Sequence, residues 1–481
     1  MSETLLTWLV FILAFGGMVL IHEFGHYIVA RWAKIEVEEF GVGLPTPGAL
    51  TLWSNKGYLL LDDGGRVEIP FNFNLPINWN ELIDNQVKIT VDRIDDRLVM
   101  RSIEVLKSEN PKRYTGSRYE MDNVYVDQNG RVVPQPGNTD QAPARKIIRA
   151  GKTRGERELV DVVTEVHPGT RFTLNWLPLG GFVRPKGEND PNVPGGLAAA
   201  SPWKRLAVLF AGPLMNLLTA VIIYSIIFGR VGVPDATRVL VSSVTEGGPA
   251  AQAGFEYGDI FITGNGQPIR SYDDLRLIVD ENENKPVTFL VDRRGEQIEL
   301  TATPEMNAEA KRIMIGVGLG APFKPAGSPL ETLSLGARYT YLHIRTLIAL
   351  PAQMIRGSLN SEQSRLIGLK GIFDVLQQTV SRDVEATTTA PSTSTDPMDQ
   401  PVRTLELIAA LSISLGLFNL FPFPALDGGR ILFILPELIF RRRVSPQVEN
   451  LVHGMGMAFL LLLMIYINVM DFVDPISVTI P

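Results

Sequence analysis

The chain contains no cysteine. Disulfide frameworks and cysteine-ligated zinc sites are therefore excluded. An excess of positive charge is also missing: 45 Lys and Arg stand against 52 Asp and Glu, a formal net charge of −7. That leaves no basic footprint for nucleic acid, and no nucleic-acid partner is expected. No basic region precedes the first apolar run and no small-residue cleavage site follows it. The run reads as a retained membrane span, not a signal peptide. No internal repeat is visible, which argues against the repeated halves of a transporter. At 481 residues the chain is too long for one ordinary domain. Its 45% hydrophobic content points to a mixture of membrane and soluble parts.

What the chain does have is concentrated near its start. Residues 5–21 are almost wholly apolar and lead into His22-Glu23-Phe24-Gly25-His26, after which 27–30 are again Tyr-Ile-Val-Ala. Histidines at i and i+4 project from one helix face and can share a metal, and a glutamate between them can act as general base. A lone histidine on an apolar face is usually structural. Here three ionisable groups fall inside one membrane helix, where such groups are costly and functional by default. The run over 5–32 is long enough to cross a bilayer at roughly 1.5 Å per residue. Arg31 stands at its end, Lys34 follows it and Glu3 precedes it. The N-terminus is therefore expected outside and the zinc motif near the cytoplasmic side.

The rest divides by composition. Residues 1–34 hold the first span, and 35–170 read as a β-rich cytoplasmic insertion with strands at 87–91 and 97–100, a hairpin turn at 127–130 and a polar loop at 137–144. In 171–190 two short apolar strands flank a turn, Pro178-Leu179-Gly180-Gly181, before Phe182 and Val183. This is a membrane-associated β-hairpin if its backbone is covered, or an ordinary soluble hairpin. A second span covers 203–229 and carries Gly212-Pro213-Leu214-Met215-Asn216. Asn216 either orients a substrate backbone or packs helices. Residues 237–304 have the strand and helix order of a circularly permuted PDZ-like α/β domain, which binds extended peptides or chain ends, or acts only by bulk. An amphipathic interfacial helix is expected over 328–356, with His343 at the interface, and a disordered linker over 383–401.

A third span over 402–430 ends in Asn419-Leu420-Phe421-Pro422-Phe423-Pro424-Ala425-Leu426-Asp427-Gly428-Gly429. A two-histidine zinc site needs a third protein ligand and an open position, which Asp427 can supply. The alternative is that Asp427 caps a helix. Arg441, Arg442 and Arg443 mark the cytoplasmic face, and a fourth span covers 447–470. His22, Asp427 and the 212–216 segment then fall at one depth.

The three motifs together resemble the site-2 protease family of intramembrane zinc metalloproteases. The Pro-Leu-Gly-Gly stretch and the single PDZ-like unit are similar to the bacterial branch that includes the regulator of sigma-E protease. The resemblance implies a polytopic α-helical membrane protein of about four transmembrane helices, with the β-hairpin, the PDZ-like domain and the β-rich soluble insertion. It implies Zn2+ held by His22, His26 and Asp427, with Glu23 activating water. Asn216 and Asn419 would hold an unwound substrate, and Leu179, Gly180, Gly181, Phe182 and Val183 would present an edge to it. The expected activity is cleavage within or near the transmembrane segment of a single-span protein, such as an anti-sigma factor, after a first cut elsewhere, with the PDZ-like unit filtering substrates by size. The expected location is the bacterial plasma membrane, with the N-terminus and PDZ-like unit outside. A zinc-binding scaffold or transporter with a PDZ docking module is the alternative, against which the retained Glu23 argues. The insertion, about 49–170, is longer than the family's usual connection.

Overall fold

The computed structural model describes residues 3–73, 82–94, 97–107, 118–120, 125–126, 132–133, 157–307, 312–356, 367–389 and 400–474. The turn expected at 127–130 and the loop at 137–144 lie outside the described residues. The chain forms two compact units, one of residues 1–219, 350–377 and 411–481, the other of residues 220–349 and 378–410.

The first unit begins with α1, Glu3–Trp32, and includes the start of α2, Pro202–Val231. Gly25 brings α1 against α2: a Cβ there would lie 2.4 Å from the Ala211 carbonyl oxygen. After α1 the chain enters β1, Val37–Leu44, and β2, Leu50–Ser54. It then makes β3, Gly57–Leu61, β4, Arg66–Ile69, β5, Gln86–Ile94, β6, Arg97–Lys107, and β7, Arg157–His167. It returns in β8, Arg171–Leu174, and β9, Leu177–Pro185.

Strands β3 to β7 run in the order β4-β3-β7-β5-β6, and β4 also pairs with β6 in parallel, Val67 opposite Leu98. The sheet thereby closes into a five-stranded barrel, which leaves no free edge among these strands. Alternation explains the filling: Val87, Ile89 and Val91 of β5 point inward beside Leu59, Ile69 and Ile103. The strands read at 87–91 and 97–100 fall within β5 and β6.

The remaining strands form a four-stranded sheet ordered β9-β1-β8-β2. This corrects the hairpin expected over 171–190. β8 and β9 do not pair with each other, because β1 lies between them, parallel to β8 and antiparallel to β9. The Pro-Leu-Gly-Gly stretch is strand, not turn. The chain crosses the end of β1 at Gly43, which holds φ 84° and where a Cβ would meet the Leu177 carbonyl oxygen at 2.4 Å. Asn175 ties the crossing down, its backbone N–H donating to the Val42 carbonyl at 2.9 Å. The barrel is joined to this sheet by a buried polar cluster. Lys186 Nζ donates to Glu36 at 3.0 Å and to the Val166 carbonyl at 2.6 Å, and His167 bonds both Glu36 and Glu165.

In the second unit, β10, Val239–Val244, precedes the short α3, Pro249–Gln252, and β11, Ile260–Gly264. Next come α4, Tyr272–Glu281, then β12, Val287–Arg293, β13, Glu296–Ala302, and β14, Val317–Gly320. The sheet order is β13-β12-β11-β10-β14. The expected boundary at 304 is therefore too early, since β14 covers the edge that β10 would otherwise leave open. Phe255, Phe261 and Phe289 meet at the centre of the core. Beneath them the fully buried Asp259 is held by Arg293 through two bonds of 2.7 and 2.8 Å. That carboxylate holds the Arg293 guanidinium above its ordinary pKa.

α5 is a continuous helix, Pro329–Ile355. Its residues 329–349 pack on the later half of α2, with Gly336 against the Val221 carbonyl and the Tyr339 ring 4.8 Å from Phe228. His343 Nδ1 faces the Tyr224 hydroxyl at 3.4 Å. α6 runs Leu369–Thr389, so the linker expected over 383–401 is helical as far as 389, and 390–399 lie outside the described residues. The helix persists because Asp383 is used: its carboxylate accepts the Arg403 and Thr404 N–H groups at 3.2 and 2.9 Å. Those groups open α7, Arg403–Asn419, so Asp383 satisfies orphan donors there. The chain then makes α8, Asp427–Phe440, and α9, Pro446–Val473.

Among the described residues α1, α2 and α9 are long and apolar enough to cross a membrane. The third span expected over 402–430 is not one helix. α7 has 17 residues, roughly 26 Å at 1.5 Å per residue, and ends before Pro422 and Pro424, which lack the N–H groups needed to continue it.

Candidate metal centre

The centre is assembled in the first unit from α1, α2 and the start of α8. On α1, His22 and His26 are one turn apart, and their Nε2 atoms lie 3.2 Å from each other. Asp427 Oδ2 lies 3.1 Å from His22 Nε2 and 3.3 Å from His26 Nε2. Three ligand atoms thus surround one point. A tetrahedral zinc ion with bonds of about 2.0–2.1 Å holds its ligand atoms about 3.3 Å apart, so the donor set fits the ion in type and spacing.

The surroundings leave room for it. A Cβ on Gly212 of α2 would lie 2.3 Å from His26 Nε2 and 2.8 Å from His22 Nε2. Only a residue without a side chain keeps this cradle open. Each histidine is also held from behind. His26 Nδ1 donates to the Val208 carbonyl at 2.7 Å, which leaves the Nε2 lone pair for a metal. Behind His22, the Asn216 amide stands 3.3 Å from Nδ1, with Oδ1 buried and unpaired. A half-turn of that amide lets Oδ1 accept the Nδ1–H and again frees Nε2. The Asn216 backbone carbonyl accepts from Ser412 at 2.8 Å.

Asn216 was expected either to orient a substrate backbone or to pack helices. Asn216 is fully buried and faces His22. Asn419, the last residue of α7, is half-buried. Asp427 does not cap α8. The capping position is Leu426, and the carboxylate of Asp427 turns to the histidines.

Glu23, next along α1, accepts the Val183 N–H of β9 at 3.0 Å. β9 lies against α1 through its glycines: a Cβ on Gly180 would meet Val19 at 2.9 Å, and one on Gly181 would meet Leu20 at 3.2 Å. Phe182 covers Gly41 of β1. Leu179 belongs to the same strand. β9 is the edge of its sheet, so the backbone side away from β1 is the side that meets Glu23.

Two supports were not singled out in the sequence. Arg430, one turn after Asp427, pairs with Glu188 in the loop after β9. The segment before Asp427 turns at Ala425, whose φ is 80°. A left-handed alanine costs about 1 kcal/mol, and its N–H is taken by His453 of α9. No local signal marked His453, because Glu449 and Asn450 precede it in the same helix.

Two histidines and an aspartate converging around an open cradle, with a glutamate alongside on an apolar helix, define a metal-dependent hydrolase built into membrane helices. The chain belongs to Peptidase family M50, whose family model matches residues 10–72 and 160–463. It is a zinc metalloendopeptidase of the site-2 protease kind and an integral membrane protein. The unmatched interval contains much of the barrel. The chain is 25% identical over 479 residues to the regulator of sigma-W protease RasP of Bacillus subtilis, covering 96% of this chain and 97% of that one. To the zinc metalloprotease RasP of Oceanobacillus iheyensis it is 27% identical over 480 residues, with the same coverage. It is also 27% identical over 485 residues to the Enterococcus faecalis protease Eep, again covering 96% and 97%.

Proposed function

We propose that this peptidase hydrolyses peptide bonds within or near the transmembrane segments of single-span membrane proteins already shortened by another protease, anti-sigma factors among them. The observation that carries the reading is the convergence of His22, His26 and Asp427, 3.1–3.3 Å apart, beside Glu23 on an apolar helix. The relative named as a regulator of sigma-W protease supports the substrate class.

His22, His26 and Asp427 hold the zinc ion. When bound, zinc supplies a Lewis acid that brings the pKa of a bound water toward neutrality and polarises a carbonyl. Glu23 accepts the proton of the attacking water and returns it to the leaving amine. A helical substrate shields its amides in its own hydrogen bonds, so the scissile segment must unwind. The edge of β9, residues Leu179, Gly180, Gly181, Phe182 and Val183, receives that extended segment by strand addition. Asn419 adds a polar contact to the unwound backbone. Because the Val183 N–H is given to Glu23, the strand that presents substrate also sets the base.

The N-terminus and the PDZ-like unit lie outside the bacterial plasma membrane, and the metal centre lies toward the cytoplasmic side, as the basic flanks Arg31, Lys204 and Arg441 to Arg443 of the apolar stretches support. α7 and α8 together take the place of the third span, and α5 lies at the outer interface. The PDZ-like unit restricts access to substrates whose outer part has been trimmed.

The test is purified protein in detergent, zinc content per chain, and cleavage of a single-span substrate lacking a bulky outer domain. Glu23→Gln is expected to retain zinc and to lose at least about 100-fold in cleavage rate. Wild-type rates in that variant would exclude Glu23 as the base.

A further inference from the structure

We propose that His453 is a positioning residue for the metal centre: it holds the strained turn that aims Asp427 at His22 and His26. The proposal deepens the functional reading above and rests on Asp427 being a metal ligand. Asp427 follows directly on residues 420–426, which belong to neither α7 nor α8. The direction of that segment is set at Ala425, with φ 80°. Such a conformation in a non-glycine residue persists only where the surroundings enforce it.

The enforcement comes from α9. His453 Nδ1 accepts the Ala425 N–H at 2.8 Å. One turn further, Gly456 lets the helix backbone close onto the same segment: a Cβ there would lie 2.5 Å from Pro424 Cβ and 2.7 Å from its carbonyl oxygen. The Phe433 ring of α8 stands 5.4 Å from the imidazole and closes its other side. A neutral imidazole that accepts at Nδ1 carries its proton on Nε2. That Nε2 is buried without a partner among the described residues. An apolar side chain would avoid this cost. The hydrogen bond to Ala425 is what the histidine supplies and a leucine cannot.

Zinc affinity of the full chain in detergent, measured by competition with a chromophoric chelator, tests the proposal. His453→Leu is expected to weaken zinc binding by about tenfold or more. His453→Asn, whose Oδ1 takes the place of Nδ1, is expected to bind as wild type does. Adding Ala425→Gly to His453→Leu is expected to restore binding, because glycine adopts positive φ without being held there. Repair at the turn distinguishes positioning from general packing of α9. Unchanged affinity in His453→Leu, or no recovery in the double variant, overturns the proposal. Should His453→Leu fail to fold, His453→Asn against His453→Gln decides: Asn must retain affinity and Gln must lose it, and equal behaviour overturns the assignment. Asp427→Ala runs alongside. Unchanged zinc affinity there overturns the metal-site reading itself, whereas loss there with none in His453→Leu overturns only the role of His453.

Discussion

At the scale of single residues, the centre depends as much on what is missing from a position as on what is present. Gly212 shows this most plainly, because a methyl group there would take space between the two imidazoles. Gly212→Ala is expected to reduce zinc content to a small fraction of wild type while the helices still form, since alanine is the better helix former. Zinc analysis beside circular dichroism checks this; full occupancy in the alanine variant would mean the cradle lies elsewhere. Val183 makes a second case. Its N–H is given to Glu23, and proline is tolerated on an edge strand where no ladder bond is removed. Val183→Pro is expected to keep zinc and to lower kcat by about tenfold or more, read by single-turnover cleavage. Val183→Ala, which keeps the N–H, should remain near wild type.

Among the elements, local periodicity was legible and distant pairing was not. The i, i+4 spacing of His22 and His26 gave their shared face directly, because helix geometry fixes it. Likewise Ser271 opens α4 by accepting the Asp274 N–H at 3.2 Å, as a serine before an apolar-periodic run suggests. The intrusion of β1 between β8 and β9 could not be read from 171–190 alone, since the partner strand lies more than a hundred residues earlier. The linker expected over 383–401 failed at its start for a similar reason. Its polar composition suggested disorder, yet Asp383 finds its partners at Arg403 and Thr404. In the second unit, Asp259 is fully buried and is held by Arg293 and by the Glu256 N–H at 2.9 Å. Arg293→Ala leaves the buried carboxylate without its counter-charge, with the Glu256 N–H still bound to it, which costs about 3 kcal/mol. Hydrogen exchange in the full chain should show faster opening of β10 and β11, while protection in the barrel is unchanged. Equal protection in the variant would show that the carboxylate finds other partners.

For the molecule as a whole, three stretches far apart in sequence, around His22, Gly212 and Asp427, meet in one centre inside the first unit. The motifs themselves were visible because ionisable residues are rare in apolar helices. Their supports were not, because Val208, Glu188 and His453 have no signature until the chain has folded around them. The zinc chemistry and the family membership make this a membrane metalloendopeptidase; the proposal is that its own Glu23 and its own ligand set perform the cleavage. The most direct test places wild type, Glu23→Gln and Asp427→Ala side by side, with zinc per chain and cleavage of a trimmed single-span substrate measured for each. The account predicts one zinc per chain and cleavage within the span for wild type, zinc without cleavage for Glu23→Gln, and neither for Asp427→Ala. Cleavage by Glu23→Gln at the wild-type rate, or full zinc occupancy in Asp427→Ala, would contradict it.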